Sequence, residues 1–179
     1  MNEASYLITY SSVVYRDSIR IALTVAALNG LDLLACDIQN SYLNAKCREN
    51  IWTISGPEFG SEEGSSMIVN MALYGLKSSG SAFRSKLAGV LHDLSYVPSK
   101  ADQDVWIRPE VRPYGSEYYE MALCYVDDVL VIAAEPMKTI DGIRAVFKLK
   151  GDEDKNSDIY LGASFSELET SNGKNGWTI

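Results

Sequence analysis

Two apolar runs, Met121-Ala122-Leu123-Cys124 and Val129-Leu130-Val131-Ile132, flank the tetrapeptide Tyr125-Val126-Asp127-Asp128. Short apolar runs on either side of a turn read as the strands of a buried β-hairpin, and a chain that contains one must build a sheet around it. The pattern therefore puts two adjacent carboxylates at a buried hairpin tip. Two-residue hairpin turns favour Asp-Gly or Asn-Gly, so turn chemistry accounts poorly for an Asp-Asp pair in this setting. Negative charge beside negative charge is costly at a buried strand end unless a cation shares the site. This turn is the first candidate for metal chemistry.

The chain has 179 residues, 46% of them hydrophobic, which suits one domain with a real core, and a single unit over 1–179 is expected. No apolar run reaches the roughly 18 residues of a membrane span. Met1-Asn2-Glu3-Ala4-Ser5 lacks the basic-then-apolar order of a signal peptide, so a soluble, intracellular protein with no membrane partner is expected. Cys36, Cys47 and Cys124 form no CxxC pair, and a single histidine, His92, excludes the usual zinc constellations. Cys36 and Cys124 lie in apolar runs and read as reduced core thiols. The formal net charge of −8 argues against a generic nucleic-acid binder held by a basic surface, but is compatible with a catalytic core that holds metal through acids.

Ile19, Leu23 and Ala26 or Ala27 recur at helical spacing, with Gly30 placed to stop a helix over 16–29. Leu31 to Asp37 reads as a buried strand that ends in a carboxylate. Ile51–Ile54 and Met67–Asn70 read as a strand pair around an exposed loop, and Phe83, Leu87, Val90, Leu91 and Leu94 predict a second helix from Ser81 to Leu94. Val105–Ile107, Tyr118–Val126 and Val129–Ala133 read as strands. Pro136 opens a third helix lined by Ile140, Ile143 and Phe147, and Ile159–Phe165 closes the series as a further strand. The order implies an α+β fold, a mainly antiparallel sheet with helices packed on one face.

Asp37 and Asp127 both end buried strands, so neighbouring places in the sheet would bring three carboxylates, Asp37, Asp127 and Asp128, to one edge. Such a hard, oxygen-rich site suits magnesium with substrate phosphates, as in phosphoryl and nucleotidyl transfer, with Asp37 and Asp127 the favoured bridging pair. The plainer reading is that Asp127-Asp128 turns a hairpin and Asp37 caps the segment after its strand.

Asp37-Ile38-Gln39-Asn40-Ser41-Tyr42-Leu43-Asn44 resembles the first catalytic motif of copia-type retrotransposon (Pseudoviridae) reverse transcriptases, D-[VI]-x-N-A-[FY]-L. Leu73-Tyr74-Gly75-Leu76-Lys77-Ser78-Ser79 is similar to their L-Y-G-L-K-Q-S segment, and Tyr125-Val126-Asp127-Asp128 to their Y-[VI]-D-D turn. Tyr10-Ser11-Ser12-Val13-Val14, Ala101-Asp102 with Trp106-Ile107, and Tyr160-Leu161-Gly162 resemble flanking elements of the same family, so the likeness covers nearly the whole chain. Ser41, Ser78, Gly80, Ser81 and Phe83 depart from the family's usual alanine, glutamine, proline, arginine and tryptophan, and none of them is a proposed metal ligand.

The resemblance implies RNA- or DNA-templated DNA synthesis in a polymerase palm, with Asp37, Asp127 and Asp128 holding two magnesium ions, or manganese as a substitute. It implies Tyr42 as a steric gate against a 2′-hydroxyl, Tyr74 and Gly75 near the incoming nucleotide and template, and Lys77 on phosphate. Lys148 and Lys150 both remain candidates for the late-motif lysine. Template, primer and deoxynucleoside triphosphates would be partners, as would the fingers, thumb, RNase H and integrase parts of a longer polyprotein, of which this chain reads as a palm-centred piece. Such an origin implies a cytoplasmic, particle-associated life with a nuclear phase allowed. The competing reading is a non-catalytic or domesticated remnant that acts in binding or assembly.

Overall fold

The structure, a computed structural model, describes residues 11–151, 159–164, 166–169 and 175–178. Tyr10, Phe165 and the charged stretch 152–158 lie outside the described residues. In chain order the elements are α1 (Arg16–Asn29), β1 (Asp32–Asp37), a 3-10 turn (Ser41–Asn44), β2 (Trp52–Ile54), β3 (Ser66–Ile68), α2 (Ser79–Asp93), β4 (Val97–Pro98), β5 (Val105–Val111), β6 (Glu117–Tyr125), β7 (Asp128–Ala133), α3 (Pro136–Arg144), β8 (Ile159–Tyr160), β9 (Ala163–Ser164), β10 (Ser166–Glu169) and β11 (Asn175–Thr178).

The chain divides into two compact units. One is built on Asn40–Leu87; the other joins Ser12–Gln39 to the described residues from Ala88 onward. The boundary falls inside α2.

The second unit holds a five-stranded sheet in the order β1-β7-β6-β5-β4, with every neighbouring pair antiparallel. Its register lines up apolar residues on each face. Leu33, Ile132 and Met121 align across three strands, as do Ala35, Leu130 and Leu123, and all six pack with Ala22, Leu23 and Ala26 of α1. The other face holds Val131, Ala122 and Trp106. There Thr139 of α3 hydrogen-bonds Tyr96, whose hydroxyl also reaches Glu120 of β6. Helices thus cover both faces, α1 on one and α3 on the other, where the sequence pattern predicts one covered face. The physical reason lies in β7: Val129–Ala133 is continuously buried, and a strand without polar alternation needs cover on both sides. The α+β class and the antiparallel sheet are as expected.

Gly30 ends α1 in the left-handed conformation (φ 58°), its N–H donating to Ala26 O. The start of α1 is capped from far away in sequence. The Asp102 carboxylate accepts from Tyr15 N–H (3.0 Å) and Ser18 Oγ (2.7 Å) with one oxygen and from Asp104 N–H (3.0 Å) with the other. In the first unit β2 and β3 pair as an antiparallel hairpin. All three cysteines are free, and burial pushes the Cys36 thiol up to about 12, consistent with an inert core thiol. Among the described residues no helix is long and apolar enough to cross a membrane.

Candidate functional site

Asp37 closes β1 and Asp128 opens β7, and the two are register partners. The hairpin tip differs by one residue from the sequence expectation. Val126 and Asp127 form the turn, while Asp128 already pairs with Tyr125 as the first residue of β7. Val126 takes a φ of 53°, and Asp127 does not share the left-handed region. This is the position of a two-residue turn where glycine is favoured, and a β-branched residue is strained there. Apolar flanks that hold both strands in register impose the conformation.

Main-chain hydrogen bonds fix the surroundings. Ile38 N–H donates to Asp127 O (2.9 Å), Gln39 N–H to Lys148 O (2.8 Å) and Lys150 N–H to Asp37 O (2.8 Å). The segment after α3 therefore runs beside the end of β1, with Ile38 and Leu149 as bridge partners. The Lys150 ammonium lies 2.7 Å from Asp37 Oδ2. Asp37 Oδ1 is buried and has no hydrogen-bond partner among the described residues.

Facing carboxylates in antiparallel register repel. Burial, followed by the charges of Asp37 and Asp127, raises the Asp128 carboxyl to about 6, while Lys150 pulls it the other way. Lys150 is itself held above its ordinary range, chiefly by its hydrogen bond to Asp37 and then by the charges of Asp37, Asp127 and Asp128. The three acids and one lysine form an electrostatically linked group. Among the described residues no three His, Cys, Asp or Glu side chains converge as a ready-made metal cluster. The facing pair in the sheet register is Asp37 with Asp128, and Asp127 meets the β1 end through its main-chain carbonyl.

The donor set nevertheless fits a hard divalent cation. It is oxygen-only, one buried carboxylate oxygen lacks a hydrogen-bond partner among the described residues, and one carboxyl is held high by burial and by the neighbouring acids.

Tyr42, Tyr74, Gly75 and Lys77 belong to the other unit. Tyr42 sits in the Ser41–Asn44 turn, entered through Asn40 in the left-handed conformation (φ 51°). Its ring lies 4.6 Å from that of Tyr74 and 6.4 Å from that of Phe83, centroid to centroid. Tyr74 is exposed, and Gly75 has a φ of 95°, which a side chain would strain. The Leu73–Ser79 loop is tied at both ends. Ser79 Oγ donates to Leu73 O (2.6 Å), and Ser78 donates through both N–H (3.0 Å) and Oγ (2.7 Å) to Glu49 Oε1. Those two bonds, side chain first, hold the Glu49 carboxyl below its ordinary range. Lys77 is exposed beside this carboxylate.

Nothing in the sequence marks Glu49 as a supporting acid, the Ala101-Asp102 likeness gives Asp102 no capping role, and nothing local separates Lys150 from Lys148. Each contact spans a long stretch of chain, and no local spacing signals it.

A family model described as reverse transcriptase (RNA-dependent DNA polymerase) matches residues 1–172. The chain is also 28% identical, over 153 residues, to a retrovirus-related Pol polyprotein from transposon TNT 1-94 of Nicotiana tabacum. That alignment covers 84% of this chain and 11% of the polyprotein, so the chain spans about a tenth of its relative.

Proposed function

The chain belongs to the reverse transcriptase (RNA-dependent DNA polymerase) family, and on that premise we propose that it is the palm-centred catalytic part of a copia-type retrotransposon polyprotein. Its reaction is the joining of deoxynucleotides to a primer 3′-end on an RNA or DNA template. The observation that carries this reading is the Asp37–Asp128 pair, with a buried carboxylate oxygen left unpartnered beside the Val126-Asp127 turn.

Asp37, Asp127 and Asp128 would hold two magnesium ions, for which manganese could substitute. When bound, such ions supply positive charge that favours an ionised primer hydroxyl and stabilises the departing pyrophosphate. The protein's own part is to present hard oxygens from a rigid sheet end and to release the proton that Asp128 retains below about pH 6. Tyr42, backed by Tyr74, excludes a 2′-hydroxyl from the incoming sugar. Gly75 allows close approach of main chain to the nucleotide, and Lys77 contacts phosphate. Template, primer and deoxynucleoside triphosphates are the partners, along with the fingers, thumb, RNase H and integrase parts of the polyprotein, in a cytoplasmic particle with a nuclear phase.

Primer extension on a poly-RNA template with magnesium or manganese tests this reading, using the chain, a version extended upstream by the fingers segment, and Asp127→Asn in each. Extension is expected from the longer form and is lost in Asp127→Asn. Extension that survives the substitution overturns the metal assignment. A longer form that never extends primer favours the non-catalytic remnant, acting in binding or assembly.

A further inference from the structure

Lys150 stands where a cation is wanted. Its Nζ lies 2.7 Å from Asp37 Oδ2, while the other oxygen of that carboxylate is buried and unpartnered. Its own N–H donates to Asp37 O, so the lysine backbone is anchored beside the carboxylate it serves. The side chain is another matter: it is 53% exposed, on a flexible four-carbon stem, and can swing into solvent without disturbing that anchor. A divalent ion needs the same oxygen lone pairs that the ammonium occupies. Because the ammonium is tethered, it competes at a high effective concentration whatever the solution contains.

We propose that Lys150 is a built-in counter-cation of the acidic site: it closes the Asp37 carboxylate until a divalent ion replaces it, so metal entry and release of the lysine head are one exchange. This rests on the metal-holding role proposed for Asp37 and Asp128. It assigns Lys150, as distinct from Lys148, a part in setting how readily the site loads. The ammonium lowers the repulsion among Asp37, Asp127 and Asp128 in the metal-free protein and, for the same reason, raises the metal concentration needed to fill the site.

Mn²⁺ binding to the full chain, followed by electron paramagnetic resonance of the free ion, tests the exchange without reference to activity. Wild type is compared with Lys150→Met, Lys150→Arg, Asp37→Asn, Asp128→Asn and Lys100→Met, the last removing one positive charge from an exposed position elsewhere. Lys150→Met is expected to tighten Mn²⁺ binding by about two- to fivefold, the size of a half-exposed ion pair. Lys150→Arg returns affinity toward wild type, Lys100→Met leaves it unchanged, and both Asp→Asn variants lose binding. If the Asp variants lose binding but Lys150→Met binds no tighter than wild type or than Lys100→Met, the counter-cation role is overturned and the metal site stands. If binding is absent from wild type or indifferent to Asp37→Asn and Asp128→Asn, the metal site itself is overturned, and the exchange with it.

Discussion

Asp37 and Asp128 face each other as register partners across β1 and β7, two acids at a sheet end with Lys150 paired to the first. Burial, and then the charges of Asp37 and Asp127, raise the Asp128 carboxyl from 3.8 to about 6. A group that binds its proton more tightly folded than unfolded contributes stability that is complete below its unfolded value and is lost as pH rises through the folded one.

In metal-free protein, stability should therefore decline between about pH 4 and 7 by an amount that Asp128→Asn removes. At pH 8 the asparagine variant should be the more stable, by roughly 1 kcal/mol once solvent screening of this partly exposed group is discounted. Thermal unfolding in chelator at pH 5 and pH 8 measures it. A less stable variant at pH 8 would mean that neither burial nor the facing carboxylate penalises the ionised Asp128.

Val126 is a β-branched residue held at a φ of 53°. A left-handed conformation costs an ordinary L-residue about 1–2 kcal/mol, and glycine's extra unfolded freedom returns about 0.5–1. Val126→Gly should accordingly leave the melting temperature unchanged or raise it, against the usual trend for valine in a hairpin. A clear drop would show that the Val126 side chain contributes packing worth more than the strain.

The Tyr42 and Tyr74 rings lie tilted against each other, 4.6 Å between centroids. If the ring excludes ribose, Tyr42→Ala should raise the ratio of ribonucleotide to deoxynucleotide incorporation by at least about tenfold, the scale on which one small group is discriminated. Tyr74→Ala, which removes only the backing ring, should relax selectivity less, in keeping with an aromatic pair worth about 0.5–1.5 kcal/mol. Single-nucleotide incorporation kinetics in the extended protein give both numbers, and equal ratios in all three proteins would remove Tyr42 from the gate.

Asp102 joins the start of α1 to the loop before β5 through three hydrogen bonds. Truncating it strands the Tyr15 and Asp104 amides and the Ser18 hydroxyl, so Asp102→Ala should cost about 2–3 kcal/mol in urea unfolding. Asp102→Asn keeps one acceptor oxygen and should cost less. Were alanine and asparagine equally mild, water would be serving the same donors.

Much of this is readable in the chain. The apolar runs at 121–124 and 129–132 are neighbouring antiparallel strands, as runs of that length around a turn imply, and Asp37 ends the strand beside them. The helix at 16–29 begins and ends where its spacing and Gly30 put it. What the chain conceals is pairing over distance. Lys150 reaches back 113 residues to Asp37 and Asp102 reaches 84 to Ser18, and in neither case does local composition separate the functional residue from its neighbours. The one-residue shift at the hairpin tip has another origin: two strands rigid in register override turn propensity, seating valine in a conformation that pattern rules reserve for glycine.

β1 is an edge strand by sheet order, yet its end is stitched on both sides, by Ile38 to Asp127 and by Gln39 and Asp37 to the segment at 148–150. Edges are ordinarily the first part of a sheet to fray. Here fraying would have to break both seams at once, so the Ile38, Gln39 and Lys150 amides should exchange with solvent as one cooperative unit. The acids inherit that cooperativity. A substitution that loosens the stretch after α3 can disarm the chemistry while leaving every carboxylate in the sequence, and a chain can fall silent by that route with its acidic signature still intact.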